Sequence, residues 1–100
     1  MAESNHFSYE IRYSKAAMKF FSSHEDIKLQ YCENIRKLIT NDHPENVDIK
    51  RIKGTRSTYY RMRIGGWRVI YAIIDGKIIV IDTIMAGSRG DIYKKTDGLK

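Results

Sequence analysis

The stretch Tyr60-Arg-Met-Arg-Ile-Gly-Gly-Trp-Arg-Val-Ile-Tyr71 decides how the second half of this 100-residue chain folds. Runs that alternate apolar and basic residues flank Gly65-Gly66, and two glycines in that setting are typical of a two-residue β-hairpin turn. The turn sets the register, with Arg63 opposite Arg68 and Arg61 two residues further along the same face. The sequence therefore predicts a hairpin with three arginines on one side and the apolar residues on the other.

A second turn signature, Asp75-Gly76, follows the hairpin. It divides the region into three strands, over Tyr59 to Ile64, Trp67 to Ile74 and Lys77 to Met85, which form an antiparallel meander. Carried into the third strand, the register puts Asp82 opposite Val69 on the core face. It also leaves three isoleucines on the arginine side, namely Ile70, Ile79 and Ile81. Either a β-bulge shifts the third strand, or an apolar partner covers the arginine side.

The first half of the chain predicts one strand and two helices. Alternation from Phe7 to Tyr13 indicates the strand, and Ser14 is placed to cap a helix over Lys15 to Phe21. From Glu25 to Thr40 the apolar residues follow the spacing of an amphipathic helix, and a polar connector comes after Pro44. Beyond the meander we expect at most one helical turn, over Asp91 to Lys95.

These elements give an α+β fold: an N-terminal strand, two helices, a three-stranded antiparallel meander and a short C-terminal helical turn. A chain of this length fits a single domain spanning residues 1–100, in which we expect residues 1–6 and 96–100 to be frayed. The single cysteine, Cys32, excludes an internal disulfide, and no signal peptide or membrane-spanning run is evident. We therefore expect a cytoplasmic protein without membrane attachment.

Basic residues are concentrated in one region of the chain, whose formal net charge is +6 and whose pI is near 9.5. Between Ile49 and Ile74 there are seven basic residues and no acid. That excess favours an anionic partner: nucleic acid, a membrane surface or an acidic protein. Because directly opposed like charges destabilise a sheet, an Arg63/Arg68 pair is best explained by an anion held between them, and phosphate suits the arginine fork. The alternative is a basic face that is simply solvated.

Four motifs, in order, resemble the RelE/ParE superfamily of bacterial and archaeal toxins, and most closely its RelE branch. They are Arg51-Ile-Lys-Gly54, Tyr60-Arg-Met-Arg63, Trp67-Arg-Val-Ile-Tyr71 and Ile84-Met-Ala-Gly-Ser-Arg-Gly-Asp-Ile-Tyr93. The resemblance covers the chain from Phe7 to Lys95. It implies the toxin of a type II toxin-antitoxin pair, which is neutralised by a cognate antitoxin protein. It further implies an endoribonuclease that enters the ribosomal A site and cleaves mRNA without a metal ion or other cofactor.

The resemblance also assigns roles to individual residues. Arg61 and Arg63 stand where RelE-type toxins carry basic residues, often lysines, and Arg68 matches an arginine that grips the phosphate. Arg89 matches the arginine that assists the leaving group, and Tyr93 the tyrosine that stacks on the substrate and takes part in proton transfer. The remaining basic residues match a surface that faces ribosomal RNA, here called the footprint: Lys50, Arg51, Lys53 and Arg56.

Two departures from the family pattern leave the general base open. An arginine has a pKa above about 12, so Arg61 is a poor proton acceptor and is expected to act electrostatically. The spacing from Arg89 to Tyr93 is shorter than in some relatives. Tyr93, Arg63 and a group of the ribosomal RNA are therefore the alternatives for the base.

Two other functions fit the same fold. One is a non-enzymatic inhibitor of DNA gyrase of the ParE type, because fold alone does not determine function. The other is an inactive member that only binds an antitoxin.

Overall fold

The structure, a computed structural model, describes residues 8–53 and 58–96. Its elements are β1 (Tyr9–Tyr13), α1 (Lys15–Ser22), α2 (Glu25–Thr40), a 3₁₀ turn (Pro44–Asn46), β2 (Asp48–Lys53), β3 (Thr58–Ile64), β4 (Trp67–Asp75), β5 (Ile79–Ser88) and α3 (Arg89–Thr96). Within the described part of the chain, no helix is long and apolar enough to cross a membrane. Some expectations concern residues outside these ranges: a strand start at Phe7, the fraying of residues 1–6 and 97–100, and the place of Arg56. Thr96, which was expected to be frayed, is the last residue of α3.

Both predicted helices of the first half are confirmed. The Ser14 side chain caps α1 by accepting a hydrogen bond from the Ala17 N–H at 3.0 Å, and its hydroxyl donates to the Ile84 carbonyl at 2.6 Å. One serine therefore begins the helix and attaches it to β5. The second helix, α2, ends where Asn41 adopts a left-handed conformation (φ 57°), which asparagine tolerates better than most residues.

The prediction of a three-stranded meander is wrong in the number of strands. The sheet has five strands in the order β1-β5-β4-β3-β2, with β1 parallel to β5 and all other neighbours antiparallel. The expected polar connector contains β2, which pairs with β3 at the sheet edge. It escapes a search for alternating patterns because both of its faces carry charge, with Asp48 and Lys50 on one side and Arg51 and Lys53 on the other.

The predicted hairpin register is confirmed, with Ile64 opposite Trp67 and Arg63 opposite Arg68. Gly65 adopts φ +60°, a conformation that suits glycine in a tight hairpin turn. Across the other edge of β4 the register shifts between Ile70 and Tyr71, and Ile84 is the extra residue of the resulting bulge.

The turn after β4 has three residues, 76–78, instead of the predicted two, and this difference corrects the expected pairing of the last strand. Ala86, and not Asp82, lies opposite Val69, and Asp82 lies opposite Ala72. The longer turn also places Ile79 and Ile81 on the helix side of the sheet, so their expected place on the arginine side is wrong. The hydroxyl of buried Tyr31 from α2 meets the Thr83 hydroxyl at 2.7 Å, which satisfies both polar groups inside the core.

The expected single helical turn after the sheet is a longer helix, α3, which packs on β4 and β5. Its Ile92 is fully buried, and Ile70 on the arginine side of β4 is fully buried as well. A Cβ on Gly87 would lie 3.5 Å from the Ile92 Cδ1, so the small residue allows the helix to approach the sheet closely. The apolar cover expected over Ile70 is thus supplied by the chain itself, and α3 forms one wall of a cleft on that side.

Candidate functional site

Three strands and one helix converge on the side of the sheet that faces away from α1 and α2. Their side chains line a cleft of about 310 Å³, here called the arginine cleft. Its members are Asp48, Lys50, Arg61, Arg63, Arg68, Arg89 and Tyr93. The register explains the strand contributions, because Asp48 lies opposite Arg63 and Lys50 opposite Arg61. The cleft contains all five residues that the family resemblance placed at the reaction centre.

Arg68 forms the floor of the cleft and is only 8% exposed. Its Nη1 donates to the Gly65 carbonyl at 3.0 Å and to the Trp67 carbonyl at 2.9 Å. The hairpin turn therefore orients the guanidinium, while Nη2 and Nε remain to address an anion from the cleft. Burial and the charges of Arg63 and Arg61 lower the pKa of Arg68, which reports how strongly positive this site is.

Arg89 and Tyr93 come from α3, one helical turn apart. The Arg89 backbone N–H donates to the Gly66 carbonyl at 3.2 Å, and the Ser88 hydroxyl caps the helix by accepting from the Asp91 N–H at 3.3 Å. These two contacts fix the first turn of α3 beside the hairpin turn. Residues four apart share a helix face, so the short spacing between Arg89 and Tyr93 brings both side chains to the cleft.

Tyr93 lies between two guanidinium groups. The Arg61 Cζ is 5.2 Å and the Arg89 Cζ is 5.5 Å from the centre of its ring. A hydrogen bond with the Arg89 side chain lowers the pKa of the Tyr93 hydroxyl, and the charges of Arg61, Arg89 and Arg68 lower it further. The cationic surroundings favour the phenolate, which is the form that accepts a proton.

Asp48 is a cleft residue that sequence reasoning missed. Its Oδ2 lies 3.8 Å from the Arg63 Nη1, with both side chains more than half exposed. It precedes the acid-free stretch by one residue, and only its pairing with β3 brings it to Arg63. A weak Asp48-Ile49-Lys50 alternation is the one sequence signal that could have found it. One carboxylate is therefore placed to compete with a bound anion for Arg63.

The predicted footprint is divided between the two faces of the sheet. Lys50 lines the arginine cleft, whereas Arg51 and Lys53, opposite Tyr60 and Thr58, lie exposed on the other face of the edge strand. Arg56 lies outside the described residues. Among residues 8–53 and 58–96, no cluster of three His, Cys, Asp or Glu side chains is arranged to hold a metal ion.

The arrangement suits a multiply charged oxyanion. Four arginines and one lysine face one another across the cleft with a single carboxylate among them. Such like charges repel one another, and a bound phosphate would relieve that repulsion while accepting charge-assisted hydrogen bonds. A tyrosine with a lowered pKa beside the anion site adds a proton acceptor. The cleft therefore combines an anion site and a proton acceptor, which are two requirements of acid–base chemistry at a phosphodiester.

The chain is similar to known toxin proteins. The family model described as "ParE toxin of type II toxin-antitoxin system, parDE" matches residues 11–90. A protein of Methanocaldococcus jannaschii named "Putative toxin RelE1" is 46% identical over 67 residues, which cover 65% of this chain and 71% of that protein. One chain of the crystal structure of the RelB-RelE antitoxin-toxin complex from Methanococcus jannaschii aligns at 23% identity and a TM-score of 0.48. The alignment covers 84% of this chain and 96% of that one.

The family model and the M. jannaschii relative carry the names of the two branches of one superfamily. The family model spans most of the chain, from β1 to the start of α3. The chain therefore belongs to the RelE/ParE superfamily, the toxins of type II toxin-antitoxin systems.

Proposed function

We propose that this toxin is a ribosome-dependent endoribonuclease that cleaves mRNA in the A site. The observation that carries the proposal is the arginine cleft, where Arg68 is held by two backbone carbonyls and Tyr93 lies between two guanidiniums. An inhibitor that acts by binding alone needs neither an oriented buried arginine nor a tyrosine with a lowered pKa. Both features are typical of a site built to stabilise a transition state.

The proposed reaction is attack by a ribose 2′-OH on the adjacent phosphorus. The new O2′–P bond forms as the P–O5′ bond breaks, leaving a 2′,3′-cyclic phosphate and a 5′-OH. Tyr93, as phenolate, accepts the 2′-OH proton, and its lowered pKa supports this role over Arg63, whose guanidinium is a poor base at neutral pH. Solvent supplies the proton that the 5′-oxygen acquires.

The arginines stabilise the charge that develops during this attack. Arg68 is oriented to donate to a phosphorane oxygen through Nη2 and Nε, because its Nη1 is engaged by the hairpin turn. Arg61 and Arg63 add positive charge from β3, and Arg89 at the start of α3 compensates the departing oxygen. Preorganised donors of this kind contribute more in a recessed site than in open water, since they need no reorientation as the charge appears.

Two partners follow from the proposal and from family membership. Arg51 and Lys53 are proposed to contact ribosomal RNA outside the cleft, and Lys50 joins the reaction centre instead. Arg56 is proposed to contact ribosomal RNA as well. A cognate antitoxin with an acidic, partly disordered segment would neutralise the arginine cleft and block the mRNA.

The test is in vitro translation with purified ribosomes and toxin, followed by primer extension on the message. New 5′ ends that appear only when the codon is in the A site would support the proposal. Arrested translation with an intact message would refute it.

The ParE name of the matching family model favours one alternative, inhibition of DNA gyrase without RNA cleavage. This alternative predicts loss of supercoiling in a purified gyrase assay at toxin concentrations that leave mRNA intact. It also predicts that the inhibition persists in Arg68→Ala and Tyr93→Phe variants, because neither the phosphate grip nor the proton acceptor would be needed.

A further inference from the structure

A second depression lies on the arginine side of the sheet, next to the arginine cleft. Its volume is about 450 Å³, and it is lined by Thr58, Tyr59, Tyr60, Ala72, Ile73, Ile74, Asp82 and Ile84. The strand register places Tyr59, Ala72 and Asp82 side by side across β3, β4 and β5. We call this row the aromatic row.

The aromatic row is one step along the sheet from the arginine cleft. Tyr59 precedes Arg61 by two residues on the same face of β3, a distance of about 7 Å at the usual rise of a strand. That is close to the length of one extended nucleotide. An RNA strand whose phosphate lies at Arg61 can therefore place a neighbouring base over the aromatic row without bending.

The ring of Tyr59 is not engaged in the ring contacts formed by the nearby tyrosines. Among the described residues, Tyr60 stacks on Tyr71 at 5.5 Å, and Tyr71 meets Tyr31 edge to face at 6.1 Å, both on the helix side of the sheet. Tyr59 takes part in none of these ring contacts and is half-buried at the wall of the depression. Single-stranded RNA is bound by aromatic side chains in this situation, because every base has a face to stack.

The other two residues of the row, Ala72 and Asp82, line the base and one edge of the depression. Ala72 is small and leaves room above β4, while the Asp82 carboxylate stands two strands from Tyr59, about 10 Å at normal strand spacing. A base that stacks on Tyr59 and extends over Ala72 would present its Watson–Crick edge to Asp82. At position 4 of a pyrimidine, a carboxylate accepts a hydrogen bond from the cytosine amino group and repels the carbonyl oxygen of uracil.

We propose that the aromatic row is a nucleobase subsite for the residue adjoining the phosphate in the arginine cleft, and that it selects amino-bearing bases over uracil. The inference rests on the proposed function, since it names part of the RNA that the cleft would bind. Continuity with the arginine cleft and the acceptor at Asp82 favour RNA over an apolar protein segment as the occupant.

Cytosine and uracil provide the matched probe, because they differ only in carrying an amino group or an oxygen at position 4 and a proton at N3. The experiment measures binding of fluorescein-labelled oligocytidine and oligouridine hexamers to the full chain by anisotropy. The wild-type chain should bind the cytidine hexamer about 10-fold more tightly, a typical discrimination for one charged hydrogen bond. Asp82→Asn should abolish that ratio, whereas Asp75→Asn, the same change at the end of β4, should preserve it.

Variants at Tyr59 test the stacking half of the subsite. Tyr59→Leu should weaken both hexamers by about 10-fold without altering their ratio, and Tyr59→Phe should restore binding because it keeps the ring. Thermal unfolding of each variant checks that the fold is kept. Equal wild-type affinity for the two hexamers would overturn the proposal. Loss of antitoxin affinity in Tyr59→Leu with unchanged RNA binding would also overturn it and assign the depression to protein docking.

This binding assay is independent of cleavage. A chain that distinguishes the hexamers yet cuts no message on the ribosome would keep the subsite and refute the proposed enzyme. A chain that cuts messages but binds both hexamers equally would support the proposed enzyme and refute the subsite.

Discussion

Replacing Arg68 with lysine tests the phosphate grip most sharply, because the charge is kept and only the geometry of the donors changes. In the wild-type chain Nη1 is engaged by the Gly65 and Trp67 carbonyls, at 3.0 and 2.9 Å, and the other nitrogens address the cleft. Lysine has one nitrogen for both tasks. If the lysine ammonium bonds to the two turn carbonyls, it is not available to the phosphate. If it bonds to the phosphate, the hydrogen bonds to the turn are lost.

The size of the effect follows from the donors lost. A hydrogen bond to a charged group contributes about 1.5–3 kcal/mol, so loss of one such bond in the transition state predicts about 10- to 150-fold slower cleavage for Arg68→Lys. Arg68→Ala removes the charge as well and should cost about 2.7–4 kcal/mol, or roughly 10²- to 10³-fold. The difference between the two variants measures what the positive charge contributes without the fork.

The assay is single-turnover cleavage of mRNA on programmed ribosomes at saturating toxin, so that the rate reports the chemical step. Arg36→Lys is the matched control, because Arg36 lies on α2 in an exposed pair with Glu33, away from the cleft. It should cleave at the wild-type rate. Equal rates for Arg68→Lys and wild type, with folding confirmed by thermal unfolding, would refute the assigned role of the guanidinium fork.

Three further predictions concern the surroundings of Arg68. Lys50→Ala should lower the single-turnover rate, whereas Arg51→Ala should mainly weaken ribosome binding in titrations at increasing salt, because Lys50 lines the cleft and Arg51 lies on the other face. Asp48→Asn should tighten RNA binding, measured by anisotropy, by up to about 5-fold, since it removes the carboxylate from an exposed ion pair with little stability of its own. The cleavage rate should rise with pH in wild type, with a midpoint below pH 10, because Arg89 and Arg61 lower the pKa of the Tyr93 base. Arg89→Ala should move this rise to higher pH, and Tyr93→Phe should remove it.

Each of these predictions has an outcome that contradicts it. Identical salt dependence and rates for Lys50→Ala and Arg51→Ala would place both residues in one surface. Weaker RNA binding by Asp48→Asn would mean that the carboxylate assists the site and does not compete for the anion. A pH profile unchanged in Tyr93→Phe would exclude the phenol as the base and leave a group of the ribosomal RNA.

The local sequence was sufficient to predict the central hairpin and the shared face of its arginines. The reason is that Gly65-Gly66 permits a two-residue turn, and a turn of that length leaves one register for Arg61, Arg63 and Arg68. The two helices were equally predictable, because a serine cap and a periodic apolar stripe are local features.

Features that depend on pairing between distant segments could not be predicted. Strand β2 shows no apolar face because it lies at the sheet edge, so Asp48 and Lys50 reach the cleft through tertiary pairing alone. The bulge at Ile84 is held by the Ser14 hydroxyl seventy residues away, and no pattern near Ile84 announces it. The turn after β4 has three residues, 76–78, where two were predicted, so the predicted faces of β5 were exchanged and Asp82 was placed in the core instead of in the aromatic row.

The most direct test of the proposed ribonuclease activity is the chemistry of the RNA ends. Purified toxin and ribosomes programmed with a defined message should give fragments that end in a 2′,3′-cyclic phosphate and a 5′-OH, identified by mass spectrometry. These ends are expected in the wild-type reaction and should be nearly absent with Arg68→Ala. An intact message under the same conditions, while the toxin still stops growth or inhibits gyrase, would contradict it.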